Sequence, residues 1–319
     1  MSWVSSSSSA TLSTKQFWEQ GSPQEILAKH GKTFNWARSF LGQKAGDNAA
    51  RLYAFCRYLD DIADGEIEGG YDALLHIKKS LKKKTPAHDQ VVLEFMNFAT
   101  GIGIDFQVLD ALLDGLLEDQ NEVLLESRRD LLRYAYKVAG TVGVMMCAVL
   151  GCHDKRAYAF AIDLGIAMQL TNIARDVMED AENNRRYLPA SWCAGLTPQQ
   201  IRAAAYDETS GNRLLVQTAI EETLYLADIY YQSALKGLAF LPMRAHIAIA
   251  VAAQNYRAIG HKIRKQHFTF WDGRMFVPLP AKIWHSSLSF KYLAYRLGEM
   301  PEHDNSLHAN LEGLPHVTD

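Results

Sequence analysis

The spacing of apolar residues between prolines constrains this chain most. Nine prolines, Pro23, Pro86, Pro189, Pro198, Pro242, Pro278, Pro280, Pro301 and Pro315, mark its main breaks. Between them, apolar residues return every third or fourth position over long stretches, among them 91–117, 131–150 and 158–178. That period lines one face of an α-helix. Strand-like alternation is scarce and the Asn-Gly hairpin signal is absent. The pattern predicts an all-α chain of about ten helices packed as one bundle, with no interdomain linker and no solenoid repeat.

Composition narrows the function. With 319 residues, 48% of them apolar, the chain can bury a sizeable core. A formal net charge of −3 gives no global attraction to nucleic acid. Cys56, Cys147, Cys152 and Cys193 form no CxxC pair, which fits a reducing, cytoplasmic location. The serine-rich start lacks the basic end and apolar run of a signal peptide, so residues 1–20 are expected as a disordered lead-in. No apolar stretch reaches the length of a membrane span; 138–151 is too short and holds three glycines. Residues 21–300 are expected as one domain and the polar 301–319 as a frayed tail. Five lysines within 78–84 are expected as a solvated helix end. The lesser reading is a patch for transient contact with an anionic membrane surface.

Two acidic motifs carry the chemistry. The first is Tyr53-Ala-Phe-Cys-Arg57-Tyr-Leu-Asp60-Asp61-Ile-Ala-Asp64, with Gly65 as a helix stop. Asp60 and Asp64 are four apart, on one helix face, about 6 Å from each other along the axis. Two carboxylates so placed repel unless a cation lies between them, and hard oxygen ligands suit Mg²⁺ (or Mn²⁺) with a substrate phosphate. Asp61 points about 100° away from Asp60. Arg57 stands within reach of the same phosphate. A solvated acidic face explains this motif equally well when it is taken alone.

The second motif is Gln169-Leu-Thr-Asn172-Ile-Ala-Arg175-Asp176-Val-Met-Glu179-Asp180. Asn172, Asp176 and Asp180 fall at i, i+4 and i+8, on one stripe of an otherwise apolar helix. Asn and Asp are poor helix-interior residues, so their placement asks for a compensating role. Two such helices facing each other would bracket Mg²⁺ and a diphosphate, with Arg57, Arg175, Arg185 and Arg186 as candidate phosphate contacts. The apolar interior would hold a hydrocarbon tail away from water.

With their surroundings, these motifs resemble those of the squalene and phytoene synthase family. The second is followed by the similar Arg185-Arg186-Tyr187-Leu188-Pro189. Tyr134-Ala-Tyr-Lys-Val-Ala-Gly140-Thr-Val-Gly143 is similar to the family's flap over the substrate channel, and Lys32-Thr33-Phe34 to its entry Lys-Ser-Phe. Gly31 stands where some members have serine. Tyr256 and Arg274 match positions that contact substrate, and the likeness covers about 30–280. It implies one isoprenoid-synthase domain with a central apolar cavity, and head-to-head (1′-1) condensation of two isoprenyl diphosphates. It implies that Asp60, Asp64, Asn172, Asp176 and Asp180 hold the metal and that Tyr134 acts in catalysis. Thr33, Phe34, Tyr53, Arg57, Gln169, Arg175, Arg185, Tyr256 and Arg274 would bind substrate. Without that likeness, Tyr134, Tyr256, Phe34 and Phe55 read as core aromatics, and the flap glycines as close helix packing.

The wording around Asn172 is most similar to bacterial members that join two geranylgeranyl diphosphates into phytoene, and no nicotinamide site is expected. Three alternatives stay open: a C15-using synthase of squalene, dehydrosqualene or hydroxysqualene; a class I terpene cyclase; and a non-enzymatic assembly factor. The last would be expected to lose the acids that this chain keeps.

Overall fold

The structure is a computed structural model that describes residues 13, 17, 21–83 and 89–317. Fourteen α-helices occur among the described residues: α1 (Pro23–His30), α2 (Lys32–Arg38), α3 (Gln43–Ala63), α4 (Gly70–Lys83), α5 (Gln90–Ile102), α6 (Phe106–Glu118), α7 (Arg128–Ala135), α8 (Thr141–Val149), α9 (Ala157–Arg175), α10 (Val177–Glu182), α11 (Pro198–Tyr206), α12 (Gly211–Lys236), α13 (Met243–Lys265) and α14 (Leu279–Leu288). A π-helical turn, Tyr136–Gly140, joins α7 to α8. No strand occurs among the described residues, only an isolated bridge between Leu124 and Arg186. The expected all-α class is observed. The helix number exceeds the expected ten because breaks at residues 31, 136–140 and 176 divide stretches whose apolar spacing runs on.

Local chemistry sets several helix starts. Ser22 and Glu25 close a capping box on α1, with Pro23 in the first turn. Thr197 and Gln200 do the same for α11, Ser127 and Asp130 for α7. Helix α9 runs through the core, and Ile162, Ile166, Ala167 and Leu170 are buried along it. Among the described residues α9 is the one helix long and apolar enough to cross a membrane. Its most apolar stretch is 78% buried within the protein and it carries the polar Gln169, Asn172 and Arg175, so it is a core helix.

Gly143 lets α8 lie directly on α9: a Cβ there would come 2.1 Å from the Ala161 carbonyl oxygen. Close packing therefore accounts for that glycine.

Two segments differ from expectation. Residues 301–317 are docked, not frayed. A 3₁₀ turn, Asn305–Leu311, buries Leu311 and His308. His303 Nε2 and His308 Nε2 lie 2.9 and 2.8 Å from the two oxygens of Asp163, a fully buried carboxylate on α9. Tyr230 donates to the Leu307 carbonyl at 2.7 Å and Arg133 to that of Glu312 at 3.0 Å. The lysine run is also partly committed: Lys78 lies 3.1 Å and Lys82 3.5 Å from Asp110 on α6, while Lys84 lies outside the described residues. Most of the expected lead-in lies outside them too. Within it, Phe17 is buried with its ring 5.5 Å from that of Tyr58.

Candidate active site

Helix α3 delivers the first motif at its carboxyl end. Arg57, Asp60 and Asp61 are all buried on its last turns, and Asp64 is the C-cap. Arg57 lies 3.5 Å from Asp60, is ion-paired with Asp61, and reaches Glu66 at 3.3 Å. Asp60 Oδ2 is buried with no hydrogen-bond partner.

The second motif sits at the carboxyl end of α9. The axis breaks at Asp176 (φ −102°, ψ 15°), yet the amides of Asp176 and Asp180 still bond the carbonyls of Asn172 and Asp176 at 2.9 and 2.8 Å. The expected Asn172–Asp176–Asp180 stripe therefore continues across a kink into α10. Arg175 clamps Asp176, with Nε 2.7 Å from Oδ1, and Arg274 approaches the same carboxylate at 3.3 Å. Asn172 Nδ2 donates to Gln169 at 3.3 Å, and Asn172 Oδ1 is buried without a hydrogen bond. Arg185 ties the two motifs together, 3.1 Å from Asp64.

The site is short of positive charge. The first motif lies at the carboxyl end of α3, where the helix dipole disfavours acids. Burial pushes the Asp60 carboxyl well above the usual range, and the nearby Asp64 and Asp61 push it further. Burial, Asp176 and Glu179 do the same to Asp180. Asp61 rises to about 7 through burial, against the pull of Arg57. A divalent cation would relieve all of these at once. The donor set of carboxylate and amide oxygens, two of them without hydrogen bonds, fits Mg²⁺ or Mn²⁺.

An open cavity with largely apolar walls leads away from this end. Ala157, Phe160, Leu164 and Met168 line it along α9, and Gln169 and Asn172 follow at its polar end. Ala157 and Asn172 are fifteen residues apart, so the slot is about 22 Å long. Helix α2 contributes Phe34, α3 Tyr53 and Arg57, and α13 Ala252 and Tyr256. Phe34 stacks on Tyr256 at 5.2 Å and lies 6.2 Å from Tyr53. Gly31 makes room for this cluster: a Cβ there would meet the Tyr53 ring at 2.9 Å.

The squalene/phytoene synthase family model matches residues 27–281. A 15-cis-phytoene synthase of Enterobacter agglomerans is 34% identical over 266 residues, 79% of this chain and 88% of that protein. The chain belongs to the squalene/phytoene synthase family. Another relative, a 15-cis-phytoene synthase of Pantoea ananas, is 33% identical over 274 residues, 81% of this chain and 87% of its own. The crystal structure of a dehydrosqualene synthase in complex with ligand is 26% identical and superposes with a TM-score of 0.75. It covers 88% of this chain and 97% of that one.

Within this family member, several expected site residues stand elsewhere. Tyr134 does not line the cavity. Its hydroxyl donates to Asp119 Oδ2 at 2.9 Å, and its ring stacks on Tyr187 at 4.7 Å, whose hydroxyl reaches the other Asp119 oxygen at 3.1 Å. The flap resemblance holds for the later part of that segment, where Ala139, Val142, Gly143 and Met146 line the cavity. Thr33 is half-buried on α2 but is not a lining residue. Arg186 is spent on structure, donating to the carbonyls of Leu125 and Leu188 at 2.9 and 3.0 Å. Asp119 was missed by sequence reading. Its carbonyl also receives Arg185 at 3.4 Å, so the Tyr134–Asp119–Tyr187 group backs the arginine that bridges the motifs. Asp61 was undervalued, although its spacing of four from Arg57 signals the pairing.

Proposed function

We propose that this chain joins two geranylgeranyl diphosphates head-to-head into phytoene, with Mg²⁺ or Mn²⁺ as cofactor. What carries this reading is a buried, charge-starved acidic cluster at the polar end of a long apolar slot, in a chain whose relatives are named 15-cis-phytoene synthase. The metal, held by Asp60, Asp64, Asn172, Asp176 and Asp180, would neutralise the diphosphate and act as Lewis acid on the leaving group.

The chain's own residues supply the rest. Arg57, Arg175 and Arg274 offer guanidinium donors to phosphate oxygens, and Arg185 holds the two motifs at one spacing. Gln169 orients Asn172. Phe34, Tyr53 and Tyr256 form an aromatic cluster on the cavity wall that would lie beside the developing allylic cation. The apolar walls keep water from it. The first C1–O bond breaks with its electron pair leaving on diphosphate. The second molecule's double bond captures C1, and a proton is lost to give a cyclopropylcarbinyl diphosphate. Loss of its diphosphate, rearrangement and a second proton loss give the product. No reductant enters that balance.

A C15-using synthase is the second reading, favoured by the superposition on a dehydrosqualene synthase. The deciding experiment offers purified protein C15 and C20 diphosphates separately, with and without NADPH, and identifies products by mass spectrometry. The expected result is a C40 triene-bearing hydrocarbon from the C20 substrate regardless of NADPH. Only C30 products would reassign the substrate, and no hydrocarbon from either would overturn the activity.

A further inference from the structure

Helix α8 ends in a turn that sets two cysteines side by side. The amide of Gly151 bonds the Ala148 carbonyl at 3.2 Å, and the amide of Cys152 bonds the Cys147 carbonyl at 2.9 Å. Gly151 takes a left-handed φ of 69° inside this loop. Two nested bonds around a left-handed glycine make a Schellman motif, in which the side chains at the ends of the longer bond pack on each other. That contact is usually apolar; here both residues are cysteine. The main-chain bond also bounds their separation. Standard bond lengths added to its 2.9 Å hold the two Cα atoms to no more than about 6.8 Å, within the reach of a disulfide.

Both thiols are free. Hydrogen bonding to Cys147 lowers the Cys152 thiol to about 7, against its burial and with help from the Asp154 backbone. The same thiol–thiol hydrogen bond, with burial, raises Cys147 well above the usual range. One sulfur is therefore poised as a thiolate and its neighbour as the thiol that donates to it. The other two cysteines are set differently. Burial pushes the Cys56 thiol up to about 12, and the Cys193 thiol donates to the Pro189 carbonyl at 3.3 Å.

We propose that Cys147 and Cys152 are a dithiol that hydrogen peroxide oxidises to a disulfide in the folded enzyme. The Cys152 thiolate attacks one peroxide oxygen and the O–O bond breaks. Hydroxide leaves and takes a proton from solvent, and Cys152 becomes a sulfenic acid. Cys147 then attacks that sulfur, the S–O bond breaks, and hydroxide leaves with the Cys147 proton as a second water. Each sulfur gives up one electron, and the peroxide takes both. Peroxide can approach from two sides, because Gly151 and His153 beside Cys152 are exposed and Cys147 lines the slot. The bond would form in the slot wall, next to Leu150 and Ala157. The inference goes beyond the proposed chemistry and stands without it.

Thiol counting tests this without any substrate. Folded protein is treated with dilute hydrogen peroxide, freed of the excess, and titrated in denaturant. Two of its four thiols are expected to be lost, and dithiothreitol is expected to restore them. No Lys or Arg lies within 138–154, so trypsin releases both cysteines in the peptide 138–155. That peptide is expected to be two hydrogens lighter after peroxide. Cys147→Ser is expected to stop at a sulfenic acid on Cys152, which dimedone traps. Cys152→Ser is expected to leave Cys147 unoxidised under the same treatment. Gly151→Ala puts a side chain on left-handed backbone and is expected to slow closure about threefold or more. Circular dichroism checks the fold of each variant. A full thiol count after peroxide overturns the proposal. So does sulfinic acid at these cysteines with no disulfide, a bond that joins two chains, or equal loss at Cys56 and Cys193.

Discussion

Two groups of buried carboxylates, on and near the same helix, are treated in opposite ways. Asp163, early in α9, has both oxygens on imidazoles at 2.8 and 2.9 Å, and those hydrogen bonds hold it below the usual carboxylate range despite its burial. Asp60 and Asp180, at the other end, are just as enclosed but are pushed well above that range by burial and by neighbouring acids. A charge whose role is structural finds its countercharge within the chain. A charge left uncompensated costs stability and is retained where something must arrive to use it. The contrast separates the clasp that seats residues 301–317 from the site.

The sharpest way to break this comparison is to neutralise one acid in each group. Asp60→Asn and Asp180→Asn are each expected to cut turnover by about a hundredfold or more. They should leave the thermal midpoint of metal-free protein unchanged or higher, since a repelled buried charge is removed. A fall in that midpoint matching the fall in activity would show the acids to be structural. Asp61→Asn is expected to cost about tenfold in turnover, by releasing Arg57 from its ion pair. Asp61→Glu should recover part of that loss, because Asp61 acts by positioning Arg57; no recovery would point to a direct role.

Asp163→Asn should behave in the reverse sense. It is expected to keep turnover at permissive temperature while lowering stability by about 2–4 kcal/mol in denaturant titration. Unchanged stability would remove the clasp from the account. The smallest effect is the clasp's dependence on pH. Burial works against charge on His303, but the hydrogen bond and charge of Asp163, with Asp304 nearby, raise it above its ordinary 6.5. A raised histidine contributes in full below about 6.5 and loses its contribution as pH climbs through the folded value. Asp163, lowered from 3.8, contributes above that pH and loses its share as pH falls through its folded value. The stability gap between wild type and Asp163→Asn is therefore expected to be widest in mildly acidic buffer and to narrow in alkaline buffer. A gap that is flat or widens with pH would contradict a charged clasp.

Much of the site was legible because it is local. The spacing over 158–178 anticipates α9, and the four-residue steps of Asp60–Asp64 and Asn172–Asp176–Asp180 survive in the structure, even across the kink at Asp176. What was not legible depends on partners distant in sequence. Tyr134 reads as a flap residue until Asp119, on a different helical segment, takes its hydroxyl. Residues 301–317 read as frayed because two histidines count as polar, and only Asp163, 140 positions earlier, makes them anchors. Arg186 reads as a second phosphate contact beside Arg185, but the carbonyl of Leu125, 61 positions earlier, claims it together with that of nearby Leu188.

The central claim is that the Asp60 and Asp180 group is a divalent-cation site through which an isoprenyl diphosphate is ionised. The most direct measurement is phytoene formation from geranylgeranyl diphosphate by purified protein in Mg²⁺, in excess EDTA, and after Mg²⁺ is restored. The account predicts product in the first, none in the second and recovery in the third, with the protein folded throughout. Undiminished turnover in EDTA would contradict it.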